Sequence, residues 1–178
     1  MAKLRSYEFL SSIPITTYTT RVNLRSLLYS AILSLIDGGA NGCIGGTKDM
    51  TILQYYLDHK RVNVGVADGH QMTNLRLAIC AAYIMTHLGP IIGIFNNVAV
   101  DAKIKQSILS CIQMRAAGNL ISDVPEGVGG LQMIQTSTNH KIPIAIQGGL
   151  PYIEMRPVTK KELEDPSIPH VMMTPEGE

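Results

Sequence analysis

The sequence predicts a mainly β domain, on three observations. Val62, Val64 and Val66 alternate with Asn63 and Gly65, the period-two pattern of a half-buried strand. Two longer β-prone stretches, residues 75–86 and 91–100, are set off by Asp68-Gly69 and Gly89-Pro90, both turn dipeptides. Across 178 residues the hydrophobic content is 46% and the charged content 16%, which suits a chain with a sizeable core and argues against wholesale disorder.

Taken in order, residues 1–23 are mixed in character and are expected to form an N-terminal extension. Thr16, Thr17, Thr19 and Thr20 there suit an extended or edge segment. Over 24–36 two readings stand. Leu24, Leu27, Leu28, Ala31, Ile32 and Leu35 recur at helical spacing, whereas 33–36 is also a short apolar run closed by glycines, as a buried strand would be. The segment Asp37-Gly38-Gly39-Ala40-Asn41-Gly42-Cys43-Ile44-Gly45-Gly46 then forms a loop, because glycine takes positive φ cheaply and lets a ligand or another backbone approach. A β-prone stretch at 51–56 precedes the alternating strand and its turn. Residues 107–114 make a short apolar element whose type the pattern leaves open. Gly127, Gly129 and Gly130 punctuate the chain before 131–136, and a polar turn at Asn139-His140 joins that segment to 142–146 as a hairpin. From Pro151 onward the character changes. Pro157, Pro166, Pro169 and Pro175 lie among Lys160, Lys161, Glu162, Glu164 and Asp165, which predicts a Pro-rich linker or tail over 156–178.

The net charge of +1 gives no broad electrostatic reason to expect nucleic acid or an anionic membrane as a partner. With no Trp, two Phe and seven Tyr, material for a base-stacking platform is scarce. Cys43, Cys80 and Cys111 are odd in number and widely spaced, which predicts free thiols in a reducing compartment rather than a zinc site. No signal-peptide core follows Met1, and the most apolar window, 75–85, holds Arg76 and is too short to span a bilayer. These features predict a soluble, cytoplasmic protein with no metal or cofactor.

Asp37 is the candidate for chemistry, since the glycine loop presents its carboxylate at the end of an apolar run. Aspartic proteases need two carboxylates sharing one proton, because like charges in contact cannot both ionise. Their motif is Asp-Thr/Ser-Gly-Ala at a strand end. Asp37-Gly38-Gly39-Ala40 matches the Asp, Gly and Ala but lacks the hydroxyl residue. No second copy occurs, so such a site requires a homodimer with one Asp37 from each subunit. An aspartate that merely caps a glycine turn is the competing reading. Phosphate-loop patterns are absent, Gly46-Thr47-Lys48 having the order reversed, which leaves only the backbone amides of 38–46 as an anion cradle. His59, His70, His87, His140 and His170 lack metal-ligand spacing and read as surface or turn residues, with His70 alone beside a plausible loop at Asp68-Gly69. No nucleophile elbow supports Ser/His/Asp catalysis.

Four blocks in fixed order resemble the protease-like region of Copia-type retrotransposon Gag-Pol polyproteins, in the form found in diatom and oomycete elements. They are Leu35-Ile36-Asp37-Gly38-Gly39-Ala40-Asn41-Gly42, Val66-Ala67-Asp68-Gly69-His70-Gln71-Met72-Thr73-Asn74, and Thr86-His87-Leu88-Gly89-Pro90-Ile91-Ile92-Gly93-Ile94. The fourth runs from Gly129-Gly130-Leu131-Gln132-Met133-Ile134-Gln135-Thr136 through Ile142-Pro143-Ile144 and residues 149–157 to Pro169-His170-Val171. The resemblance implies a retropepsin-like closed β-barrel over 24–155, with a strand rather than a helix at 33–36. It implies that Asp37 is the catalytic aspartate of a homodimeric endopeptidase, that Gly38, Gly39 and Ala40 form its supporting loop, and that a polyprotein peptide is the substrate. The hairpin over 62–75 is a candidate flap, and the chain is expected to be a piece of a larger open reading frame. In active retropepsins the Thr or Ser after the aspartate bonds across the dimer. Gly38 cannot make that bond, so an inactive fold kept as an interaction or spacer module is the second expectation.

Overall fold

A computed structural model describes residues 33–56, 60–65, 71–104 and 106–176, all within the unit Ala31–Glu178. The expectations for residues 1–23, for the helical spacing before Leu33, and for His59, Asp68-Gly69 and His70 lie outside the described residues.

The described chain is mainly β. β1 (Leu33–Asp37) is a strand whose Ser34 and Ile36 point inward while its neighbours are half-buried. It lies between two strands distant in sequence, and that pairing selects extended chain over helical spacing. β2 (Ile44–Gly45) and β3 (Thr51–Tyr55) follow the glycine loop. β4 (Arg61–Gly65) keeps the forecast alternation, with Val62 and Val64 half-buried and Asn63 exposed. β5 (Gln71–Thr86) and β6 (Gly89–Val100) form the long central hairpin, paired from Arg76–Val100 to Thr86–Gly89. The turn falls at His87-Leu88, two residues before the predicted Gly89-Pro90. Thr86 Oγ1 donates to the Gly89 carbonyl at 2.7 Å, and Gly89 takes φ of +109°.

The open apolar element at 107–114 splits in two. β7 (Ile108–Ser110) runs directly into α1 (Cys111–Ala116), with Ser110 as the N-cap. β8 (Leu120–Ser122), β9 (Met133–Gln135) and β10 (Lys141–Pro143) make a separate three-stranded antiparallel sheet. The β9–β10 hairpin is the predicted one, but Ile146 is not part of it. It belongs to β11 (Ala145–Gln147), which pairs with β12 (Leu150–Glu154) in the main sheet.

The predicted tail over 156–178 is corrected by its described part. β13 (Arg156–Pro157) pairs with β5, α2 (Lys160–Leu163) follows a capping box at Thr159, and β14 (His170–Met172) pairs in parallel with β6. Val158, with Leu163 and Ile168, packs on Ala81 and Ile92, while Val171 and Met173 enter the main core. The charges lie on the outer side of this segment, and Pro157 sits in an end strand of the sheet, where a missing N–H is tolerated. This segment covers β5 and β6 from outside. At 80–82 and 91–93 those strands are therefore buried on both faces and read as apolar runs rather than alternations, whereas 71–74 of β5 stay largely exposed.

The main sheet has eleven strands on the path β11-β12-β1-β7-β2-β6-β5-β13, with β14 added to β6 and with β3 and β4 added to β5. Among the described residues the path stays open, since its end strands β11 and β13 do not pair, and the predicted closed barrel is not formed by them. The main core gathers Ile36, Met50, Ile84, Ile91, Phe95, Leu109 and Ile153 with Met114 of α1 and with Ile121, Ile134 and Ile142 of the small sheet.

Candidate functional site around Asp37

Asp37 ends β1, held between antiparallel β12 and parallel β7, where it stands in register with Ser110. Its side chain is half-buried, and Oδ1 accepts the Gly39 N–H at 2.7 Å. That short turn fixes one carboxylate oxygen against the loop. Gly38 and Gly39 are exposed, and nothing lies within 4 Å of where a Cβ of Gly38 would stand.

The rest of the loop is tied from behind. Ser110 Oγ donates to the Ala40 carbonyl at 2.6 Å, and the Cys43 N–H donates to Gln113 Oε1 at 2.9 Å. The Ser110 N–H points at Cys43 Sγ at 3.3 Å, and the Cys43 carbonyl accepts from the Ala99 N–H at 2.9 Å. Farther on, a Cβ at Gly46 would run into the Ile104 carbonyl, and the Gly46 N–H is used on Ser107 Oγ at 3.3 Å. The amides of Gly39, Cys43 and Gly46 thus serve protein acceptors, which weighs against an anion cradle in this loop.

In front of Asp37 lies a cleft. A cavity of about 620 Å³ is bounded by Asp37, Gly39 and Ala40 on the loop side and by Val64 and Gly65 of β4 on the other, with Ile108 between. A second cavity of about 380 Å³ shares Asn41, Gly42, Ile44 and Val64 with it and extends to Asn63, Asn97 and Gln113. Asp37 is the only carboxylate among the described residues lining either cavity. One carboxylate can accept or donate a proton. The two-carboxylate chemistry described above needs a second such loop.

Sequence reasoning missed a second aspartate. Asp49 is fully buried, and Ser34 and Ser107 donate three hydrogen bonds to it. Ser34 Oγ reaches Oδ2 at 2.8 Å, the Ser107 N–H reaches Oδ2 at 2.9 Å, and Ser107 Oγ reaches Oδ1 at 2.6 Å. The knot joins β1 to the segment entering β7, one strand length below Asp37. A signal existed in Ser34, whose place in the alternation of β1 puts a hydroxyl on the buried face, where it must find a partner.

The three cysteines are free and buried. Burial pushes the Cys43 thiol up to about 11 and the Cys80 thiol up to about 12, and it raises Cys111 as well. None is an activated nucleophile. His87 Nδ1 accepts the Lys141 N–H at 3.0 Å and His140 Nδ1 meets Thr138 Oγ1 at 2.9 Å, both in turns away from the cleft. Among the described residues no helix is long and apolar enough to cross a membrane. No protein-family model, no curated protein and no solved structure matches the chain.

Proposed function

We propose that the chain is the aspartic endopeptidase domain of a Copia-type retrotransposon polyprotein, built on a retropepsin-like fold and working as a homodimer. One observation carries this reading. Asp37 leaves a buried strand into a glycine loop that floors a cleft, and a β-hairpin edge, Val64–Gly65, lies across that cleft. A carboxylate at the end of a central strand, opposite a hairpin, is the arrangement an extended peptide needs to reach an acid. In this reading the β4–β5 hairpin is the flap, and a second subunit completes the barrel that the open sheet leaves unfinished.

The chemistry follows from the pairing. Two Asp37 carboxylates across the subunit boundary share one proton and hold one water. One carboxylate takes a proton from the water as its oxygen attacks the peptide carbonyl. The other gives its proton to that carbonyl oxygen, and the amine leaves with a proton returned from the pair. No cofactor takes part. The substrate is the polyprotein, the site of action the cytoplasm, and neither nucleic acid nor membrane is bound by this region.

Gly38 favours a second reading, in which the same fold persists as an inactive interaction or spacer module. It offers no hydroxyl with which to fix a partner loop. The experiment is cleavage of polyprotein-derived peptides at mildly acidic pH, run beside sedimentation velocity. The peptidase reading expects a dimer whose cleavage drops at least about 1,000-fold in Asp37→Asn. A monomer with no cleavage, or cleavage equal in Asp37→Asn, overturns it and leaves the module.

A further inference from the structure

We propose that Ser110 and Gln113 are positioning residues that hold the Asp37 loop from within its own chain, doing there what Gly38 cannot do across subunits. The inference rests on reading Asp37 as the working acid.

Ser110 is the N-cap of α1, and Gln113 stands three residues on, in its first turn. Their pattern, Ser followed three residues later by Gln, is that of a capping box, in which the Gln side chain would turn back to the N-cap amide. Here it does not. Gln113 sends Oε1 across to the Cys43 N–H at 2.9 Å, and the Ser110 N–H goes to Cys43 Sγ at 3.3 Å. The Ser110 hydroxyl caps the helix by accepting the Gln113 N–H at 3.3 Å and spends its proton on the Ala40 carbonyl at 2.6 Å. A cap needs only the contact between the Gln113 N–H and the Ser110 hydroxyl. The other three all end on residues 40 and 43 of the loop.

The effect is to pin both ends of the turn between Ala40 and Cys43. The free end, Gly38-Gly39, then hangs between a fixed Ala40 and the Asp37 carboxylate that binds the Gly39 amide. Ser110 is fully buried and stands in register beside Asp37, so its anchor is the sheet itself. Two carboxylates must be held within fractions of an ångström to share a proton, and side chains that lock the loop backbone supply that constraint. Rigid placement by β7 and α1 makes a hydroxyl at position 38 dispensable.

The test is native-state hydrogen exchange on Ser110→Ala, Gln113→Leu and Ser110→Thr, with peptide cleavage measured on the same samples. The diagnostic amides are ones the altered side chain does not itself bond: Gly39 and Cys43 for Ser110→Ala, and Gly39 for Gln113→Leu. Loss of one such hydrogen bond is expected to speed their exchange about 5–30-fold, while β5 and β6 amides keep the parent rates. Ser110→Thr, which retains the hydroxyl, restores slow exchange. In cleavage, kcat falls about tenfold with KM unchanged, the mark of lost alignment rather than lost binding. Unaltered loop exchange, or equal acceleration in loop and sheet, overturns the clamp. Should Ser110→Ala not fold, Gln113→Leu alone decides the matter. The two readings fail differently. Cleavage that depends on Asp37 but ignores Ser110 and Gln113 defeats the clamp, whereas loop exchange that responds in a protein without Asp37-dependent cleavage defeats the peptidase.

Discussion

Replacing Asp49 by alanine removes an acceptor on which three buried donors depend. The Ser107 N–H cannot re-aim, and leaving it unpaired costs about 1–3 kcal/mol. The two serine hydroxyls can rotate, so each loses about 0.5–1.5 kcal/mol. The expected sum is about 2–6 kcal/mol. With a urea slope of about 2 kcal/mol/M, the midpoint of unfolding moves down by about 1–3 M. Equilibrium urea denaturation followed by circular dichroism measures this directly, with Glu154→Ala, an exposed residue at the end of β12, as a control expected within about 0.5 kcal/mol of the parent. Ser34→Ala alone should cost about 1–2 kcal/mol, and almost nothing once Asp49 is already alanine, because the two share one bond. A loss below about 1 kcal/mol for Asp49→Ala, or full additivity with Ser34→Ala, would show that the buried knot is not what ties β1 to the approach to β7.

Further outcomes follow from the same structure. Arg156 holds Glu162 through paired hydrogen bonds at 2.6 and 3.0 Å, and this partner, first among the causes, lowers the carboxyl from 4.5 to about 2. A folded-state value below the unfolded one means stability that is fully present above 4.5 and lost as pH falls toward 2, so the Tm gap between parent and Glu162→Gln should narrow across that window. A gap that stays constant from pH 6 to about pH 2.5 refutes the pairing. Gly46→Ala drives a Cβ into the backbone carbonyl of Ile104 and should cost about 2–3 kcal/mol in urea, whereas Gly127→Ala, with open space around it, should stay within about 0.5 kcal/mol. Equal effects would contradict the close approach. The buried thiols should react with Ellman's reagent at pH 8 at least about 100-fold more slowly in native than in urea-unfolded protein. Rapid labelling of Cys43 or Cys80 would contradict their burial.

What the sequence made readable depended on whether a residue's environment was local. Val62 and Val64 announced β4 because one face of that hairpin meets solvent. β5 and β6 were visible as strands but not as doubly covered ones, since the second cover over Ala81 and Ile92 comes from Val158, Leu163 and Ile168, more than 60 positions later. The prolines and charges of that cover read as a linker for the same reason: Pro157 ends an edge, and Lys160, Lys161 and Glu164 face outward, while Val158, Val171 and Met173 do the packing. At Leu33–Asp37 helical spacing was genuine in the letters and irrelevant in the fold, because partners at 108–110 and 152–154 set the backbone. Ser110-Cys111-Ile112-Gln113 carried a legible helix start that would have resolved the open element. Asp37 was readable as a loop carboxylate, but the hands that hold its loop were not, since Ser110 and Gln113 lie some 70 residues downstream.

The pairing of β1 also sets an order of events during synthesis. Leu33 to Leu35 pair with residues 152–154, and Leu35 to Asp37 pair with 108–110, so the strand bearing Asp37 has neither of its two sheet neighbours until residues 108–110 have been made. The β5–β6 hairpin, closed by one tight turn, can form long before. A ribosome that has translated the aspartate must therefore add about 70 residues before Ser110, its partner in the register, exists at all. The aspartate is encoded well before either strand that flanks it, so its place in the sheet is settled from the far end of the chain rather than by its own neighbours.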